Sequence, residues 1–375
     1  MFSDYTHYRH GFPGANAEIG NHIAIPFTPR ARYRCEMIRL FNLTMCAISM
    51  VLVVSTASGQ ETALQIPGDG MIKVIGSDDS ASPVNAVFQS GLDAYYVQDY
   101  AAARAAWSEL SDADHAISMH NHAVMLWRGQ GGTQDRPSAV ALFEKSGALE
   151  NPVSLHALGT LSMNGWGVAK DADQAVAYFE QASVLGHGPS TYNLAVMYWN
   201  GVAVEADKDV ALEYFEAAAE GDYVRAQYDL AGLLYDGSTG RRDFKAARSW
   251  FERAAENDDP FARYNLALMA LAGEGGPVDK DLAHEQLVMS ANAGTVPAQM
   301  RLAGMLATGE HGEAVDLVSA LSWYLIADAF GAEGASENAK MIEDALSPSD
   351  VAKARAKALQ FKPASNNPAP ATASQ

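Results

Sequence analysis

Between residues 113 and 331, apolar side chains recur at i, i+3, i+4 and i+7, the spacing of one helix face, and the pattern returns every 36 residues. The phrases YNLAVMYWNG at 192–201, YDLAGLLYDG at 228–237 and YNLALMALAG at 264–273 show it most plainly. Gly129, Gly165, Gly201, Gly237, Gly273 and Gly309 carry the period without drift. A fixed period between about 20 and 50 residues is the signature of stacked supersecondary units.

With each of these glycines as position zero, −7 is His122 and then Leu158, Leu194, Leu230, Leu266 and Leu302. Position −4 is Met125, Leu161, Met197, Leu233, Met269 and Met305, and −6 is always alanine or glycine. This is a first helix with a small column that lets a neighbour approach, ended by a glycine suited to the left-handed conformation. At +6 stand Asp135, Asp171, Asp207, Asp243 and Asp279, with Val315 the exception in a last repeat that has one extra residue before Trp323-Tyr324. Aspartate there predicts the N-cap of a second helix. That helix carries alanine at +10, with Ser319 in the last repeat, and a large residue at +14: Phe143, Phe179, Phe215, Phe251, Leu287 and Trp323. Neither helix of such a hairpin can bury its apolar face alone, so each repeat must present the same face to an identical neighbour.

The ends of the array follow from the same register. Trp107 lies 36 residues before Phe143, so 85–112 reads as an N-terminal capping hairpin with a tighter turn. The six repeats occupy 113–331, and 332–361 reads as C-terminal capping helices, with Ser347-Pro348-Ser349-Asp350 as a helix start. The tail 362–375 is rich in Pro, Ala, Ser and Asn and reads as disordered, and 60–84 reads as a linker.

Residues 37–59 combine Arg39, the apolar run Leu43–Val54 and the small residues Ala57-Ser58-Gly59. That is the layout of a signal peptide cleaved before Gln60. Residues 1–36 show neither helical nor strand period. One reading makes Met37 the true start. The other lets Arg30, Arg32, Arg34 and Arg39 hold the N-terminus in the cytoplasm, leaving the run as an inner-membrane anchor. Both place the repeats outside the cytoplasm, in the periplasm or beyond.

The 375 residues carry a formal net charge of −19. That argues against nucleic acid, whose phosphates need Lys and Arg to displace their counterions. Cys35 and Cys46 precede the repeats, so the array has neither a disulfide nor cysteine-bound zinc. His115, His120, His122 and His156 are irregularly spaced for metal, and no catalytic constellation or phosphate loop stands out. No cofactor or metal is expected.

These repeats resemble the Sel1-like repeat family, relatives of tetratricopeptide repeats. The resemblance rests on Leu158-Gly159, Gly165-Trp166-Gly167-Val168, Asp171, Ala175, Tyr178-Phe179, Ala182 and Gly186, and again on Leu194-Ala195, Tyr198, Gly201, Asp207, Ala211, Tyr214-Phe215 and Ala217-Ala218-Ala219. It covers about residues 115–331. It implies an all-α, right-handed α-solenoid of stacked helix-turn-helix repeats, and a non-catalytic scaffold for protein–protein interactions in the cell envelope. Some secreted relatives carry a disulfide in each repeat and are linked to cell-wall or β-lactam hydrolysis; the cysteine-free repeats here depart from that branch. A membrane-anchored adaptor is the third reading.

The partner, a protein or peptide, is expected on the concave face. Position −2 carries Trp127, Met163, Trp199, Tyr235, Leu271 and Ala307. These side chains either pack over the small column of the next repeat or line an aromatic groove, where Trp and Tyr serve as anchors. Positions −8 and −1 are polar, including Asn193, Asp229 and Asn265, and Asn200. Beside the stripe, they are expected to face solvent and to suit an extended peptide backbone. Trp127, Trp199, Tyr235, Asn193, Asn200, Asp229 and Asn265 are therefore the candidate partner-binding residues.

Overall fold

The computed structural model describes residues 83–364, apart from Arg241 and Glu313. The upstream extension, the signal segment, nearly all of the linker and most of the tail lie outside the described residues. Within them there are sixteen α-helices and no strand. The first hairpin is α1 (Pro83–Tyr96) and α2 (Tyr100–Asp112). The repeats follow as α3 (Ala116–Arg128) and α4 (Arg136–Ala148), α5 (Pro152–Asn164) and α6 (Ala172–Val184), α7 (Gly188–Asn200) and α8 (Lys208–Glu220). Then come α9 (Val224–Asp236) and α10 (Phe244–Glu256), α11 (Pro260–Ala272) and α12 (Lys280–Asn292), α13 (Val296–Thr308) and α14 (Leu317–Ala329). Two closing helices, α15 (Ala335–Glu343) and α16 (Pro348–Leu359), both pack on α14. Each helix otherwise packs mainly on its neighbours in the chain, as a solenoid requires.

The six period-marking glycines adopt φ between 66° and 82°, in the left-handed region. They end each first helix where a Cβ would strain the backbone. Asp135, Asp171, Asp207, Asp243 and Asp279 accept backbone N–H groups at the start of each second helix. Met125, Leu161, Met197, Leu233, Met269 and Met305 are buried, as are Phe143, Phe179, Phe215, Phe251 and Leu287. Gly159 shows why the −6 column is small: a Cβ there would lie 2.6 Å from the Phe179 ring.

The last repeat corrects the sequence reading. Its loop has one extra residue and holds the 3₁₀ turn Glu310–Gly312. The N-cap is therefore Asp316, which accepts from the Ser319 N–H at 3.0 Å, not Val315. The whole second helix moves with it. Ala320 takes the place given to Ser319, and Tyr324, 1% exposed, takes the place given to Trp323. Trp323 is half-buried and meets the ring of Phe361. The aspartate, alanine and aromatic are all kept, one residue later.

The capping hairpin compresses the same plan. Trp107 is fully buried, and its ring lies over Gly91, where a Cβ would come within 2.4 Å. At the other end, the start of the tail is ordered: the Ala364 N–H donates to the Asn292 carbonyl at 3.0 Å.

Candidate interaction surface

The aromatic stripe at −2 is mostly packing. Trp127 is 5% exposed and Tyr235 3%. The Trp127 ring is covered by Gly167 of the next repeat's loop and by the Arg136 guanidinium, 5.1 Å from the ring centroid. The Tyr235 hydroxyl donates to Glu274, in the loop of the next repeat, at 2.7 Å. Trp199 differs. It is half-buried, stands edge-on to Phe215 and lies under the Lys208 ammonium at 4.8 Å. Trp127 and Tyr235 therefore join one repeat to the next and offer a partner little surface, whereas Trp199 keeps an accessible flank.

The −8 column also departs from expectation. Asp229 is fully buried and Asn265 is 2% exposed, and Asn121 and Arg301 are buried with them. Only Asn193 in this column is part-exposed, and Asn200 at −1 is exposed, its Nδ2 donating to the Val196 carbonyl at 2.9 Å. For Asp229 and Asn265 the cause is the preceding first helix, whose −9 tyrosine reaches across to the −8 residue. The Tyr192 hydroxyl donates to Asp229 Oδ2 at 2.7 Å, and Asn265 Nδ2 donates to the Tyr228 hydroxyl at 3.3 Å. In the first two repeats the −9 residue is histidine and its partner is a serine at −11. His120 pairs with Ser154 and His156 with Ser190, each at 2.9 Å.

A polar ladder thus links the first helices, with two spellings: His to Ser 34 residues on, then Tyr to Asp or Asn 37 residues on. Arg225 was missed by the sequence reading. It donates through Nε to Asp229 Oδ2 at 2.8 Å, with Asp229 fully buried and Arg225 38% exposed. Burial pushes the Asp229 carboxyl above its ordinary range, and Arg225 and the Tyr192 hydroxyl oppose that push. The −9 to −8 tyrosine–Asx spacing was the available signal. Oδ1 of Asp229 and Oδ1 of Asn265 are closed to solvent and have no hydrogen-bond partner among the described residues. By helix geometry they share a face with the −1 positions, where Asn200 is exposed.

His156 sits 4.9 Å from His187, ring centroid to centroid, and both Nδ1 atoms meet Ser190 at 2.9 Å. Burial, then the charges of His187 and His120, hold His156 down at about 3; burial holds His187 at about 4. Both titrate below their unfolded value near 6.5. The unfolded chain therefore binds more protons between these limits, and stability must fall as pH drops through that window. The expected loss between pH 7 and pH 4 is on the order of 2–3 kcal/mol, allowing for partial exposure of the rings. The double variant His156→Tyr/His187→Tyr copies the next repeat, where Tyr192 and Tyr223 occupy these places 5.4 Å apart. It should flatten this part of the curve in urea titrations at pH 7, 5.5 and 4.

The fold has known counterparts. The sequence model of the Sel1 repeat matches six times, at residues 116–151, 152–187, 188–223, 224–259, 260–294 and 296–327. The chain belongs to the Sel1 repeat family. Sel1 repeat proteins mediate protein–protein interactions and are generally scaffolds without catalysis. Two solved structures share the fold. One is c5321, a protective antigen of uropathogenic Escherichia coli with an SLR fold: 23% identity, TM-score 0.61, 75% of this chain and 61% of that one. This chain thus spans less than two thirds of the antigen. The other is a Sel1 repeat protein from Oxalobacter formigenes: 22% identity, TM-score 0.57, 65% of this chain and 99% of that one. No curated protein matches the chain.

Proposed function

We propose that this Sel1 repeat protein is a non-catalytic scaffold of the cell envelope that holds a protein or peptide on the concave surface lined by the first helices of its central repeats. The observation that carries the reading is Trp199, half-buried near the end of α7 beside the exposed Asn200, with the part-exposed Asn193 on the same helix, whereas Trp127, Tyr235, Asp229 and Asn265 are buried between repeats. Trp199 offers a partly exposed aromatic anchor, and Asn193 and Asn200 offer side-chain amides to the backbone of an extended segment. The strongly displaced side chains are occupied in holding repeats together: Asp229 by Arg225 and Tyr192, His156 and His187 by Ser190. That suits a scaffold better than acid–base chemistry. The envelope location rests on the signal-like segment 37–59.

A photo-crosslinking residue at Asn200, compared with one at Val184, tests the surface. Val184 is 87% exposed at the end of a second helix. A discrete polypeptide adduct from position 200 alone is the expected result. Equal labelling at both positions, or none at 200, would sink the reading. Mature protein in the envelope fraction should begin near Gln60.

A further inference from the structure

We propose that the cleft over His122, between the capping hairpin and the first repeat, binds a carboxylate: the side chain of an aspartate or glutamate on a protein partner. This site, at the first repeat, is separate from the surface proposed for the first helices of the central repeats, and stands whether or not that surface binds.

Three observations point to it. First, the −7 column is leucine in every other repeat, and those leucines are buried. Here it is His122, on α3, which lines a cleft of about 670 Å³ between α2 and α4. Second, the cleft is open because the residues around it are small. The following repeats carry Tyr178, Tyr214 and Trp250 in the place taken here by Leu142, and the neighbouring wall is Ala101, Ala105 and Ala141. Third, the polar groups are matched to an anion. Arg104 and Lys145 flank the opening in a chain whose net charge is −19. Arg104 is held in place by donating from Nη1 to the Thr133 carbonyl at 3.1 Å. His122 Nδ1 is buried with no hydrogen-bond partner among the described residues.

An unpartnered buried ring nitrogen is costly, and a half turn of the part-buried His122 ring, which brings Nδ1 to the cleft where a ligand pairs with it, recovers that cost. A carboxylate accepts hydrogen bonds from imidazole and from guanidinium or ammonium groups, and such charge-assisted bonds are the stronger kind. Alanine walls would remove water from the pair without competing for it. In the free protein, burial and then Arg104 hold the His122 pKa below its ordinary value, with Asp112 opposing. A bound carboxylate reverses the balance, so the ring should titrate higher in the complex.

The probe is the peptide acetyl-Gly-Glu-Gly-amide at millimolar concentration, followed by NMR signals of the His122 ring and the Arg104 side chain. Its glutamine counterpart and inorganic phosphate serve as separate arms. The expected result is a saturable shift with the glutamate peptide, at least tenfold weaker with glutamine, and an upward move of the His122 titration. His122→Leu installs the residue found in the other repeats, so it should fold and melt at or above the wild-type temperature while losing the response. Equal binding of the glutamine peptide would overturn the proposal. So would phosphate binding without the glutamate peptide, or full glutamate binding by His122→Leu.

Discussion

Phe215→Ala should destabilise the array by about 3–5 kcal/mol, the range for removing a large buried ring and leaving a cavity. Phe215 is fully buried in the third repeat. Its ring meets Tyr192 at 5.7 Å and Trp199 at 6.2 Å, and it packs in one cluster with Ala195, Ala218, Leu230 and Leu233. Leu230 and Leu233 belong to the next repeat, so the cavity opens at an interface between units. In a solenoid, stability is shared through such interfaces, and the loss should spread to neighbouring repeats. Urea denaturation and hydrogen exchange would show both effects. Val184→Ala, at an exposed site, should stay within about 0.5 kcal/mol of wild type. A comparably small change for Phe215→Ala would mean that the +14 column does not hold the repeats together.

Arg225→Met should cost about 2–4 kcal/mol. Removing one member of a buried ion pair leaves the other charge uncompensated, typically at about 3–5 kcal/mol, and the 38% exposure of Arg225 moderates this. Asp229 would keep only the Tyr192 hydroxyl. Asp229→Asn should be nearly neutral, because the next repeat already places Asn265 there with a tyrosine partner. In the Asp229→Asn background, Arg225→Met should then cost less than about 1 kcal/mol, giving strong coupling in a double-mutant cycle. Additive effects in chemical denaturation would show that the two side chains act independently.

The 36-residue register, the helix ends and the buried −4, −6 and +14 columns were legible because they follow from periodicity within one repeat. What depends on contacts between repeats was harder to see. Trp127 looks like a groove residue until the loop around Gly167 closes on it. Asp229 and Asn265 look like surface residues until Tyr192 and Tyr228 reach across. The ladder was written in the sequence, but as a spacing of 37 that crosses the 36-residue repeat boundary, so reading each repeat alone conceals it. In the last repeat the extra residue is legible in the sequence, but its consequence is not: Trp323 and Tyr324 are adjacent aromatics, and only the Asp316 cap shows which of them turns inward.

The most direct test of the scaffold reading is the affinity of the polypeptide captured at position 200 for Asn193→Ala/Asn200→Ala. Both side chains lie outside the buried core, so the variant should melt with the wild type. Binding measured by calorimetry should weaken at least tenfold, or about 1.4 kcal/mol. Unchanged affinity, or a larger loss from Val184→Glu on a second helix, would contradict the account.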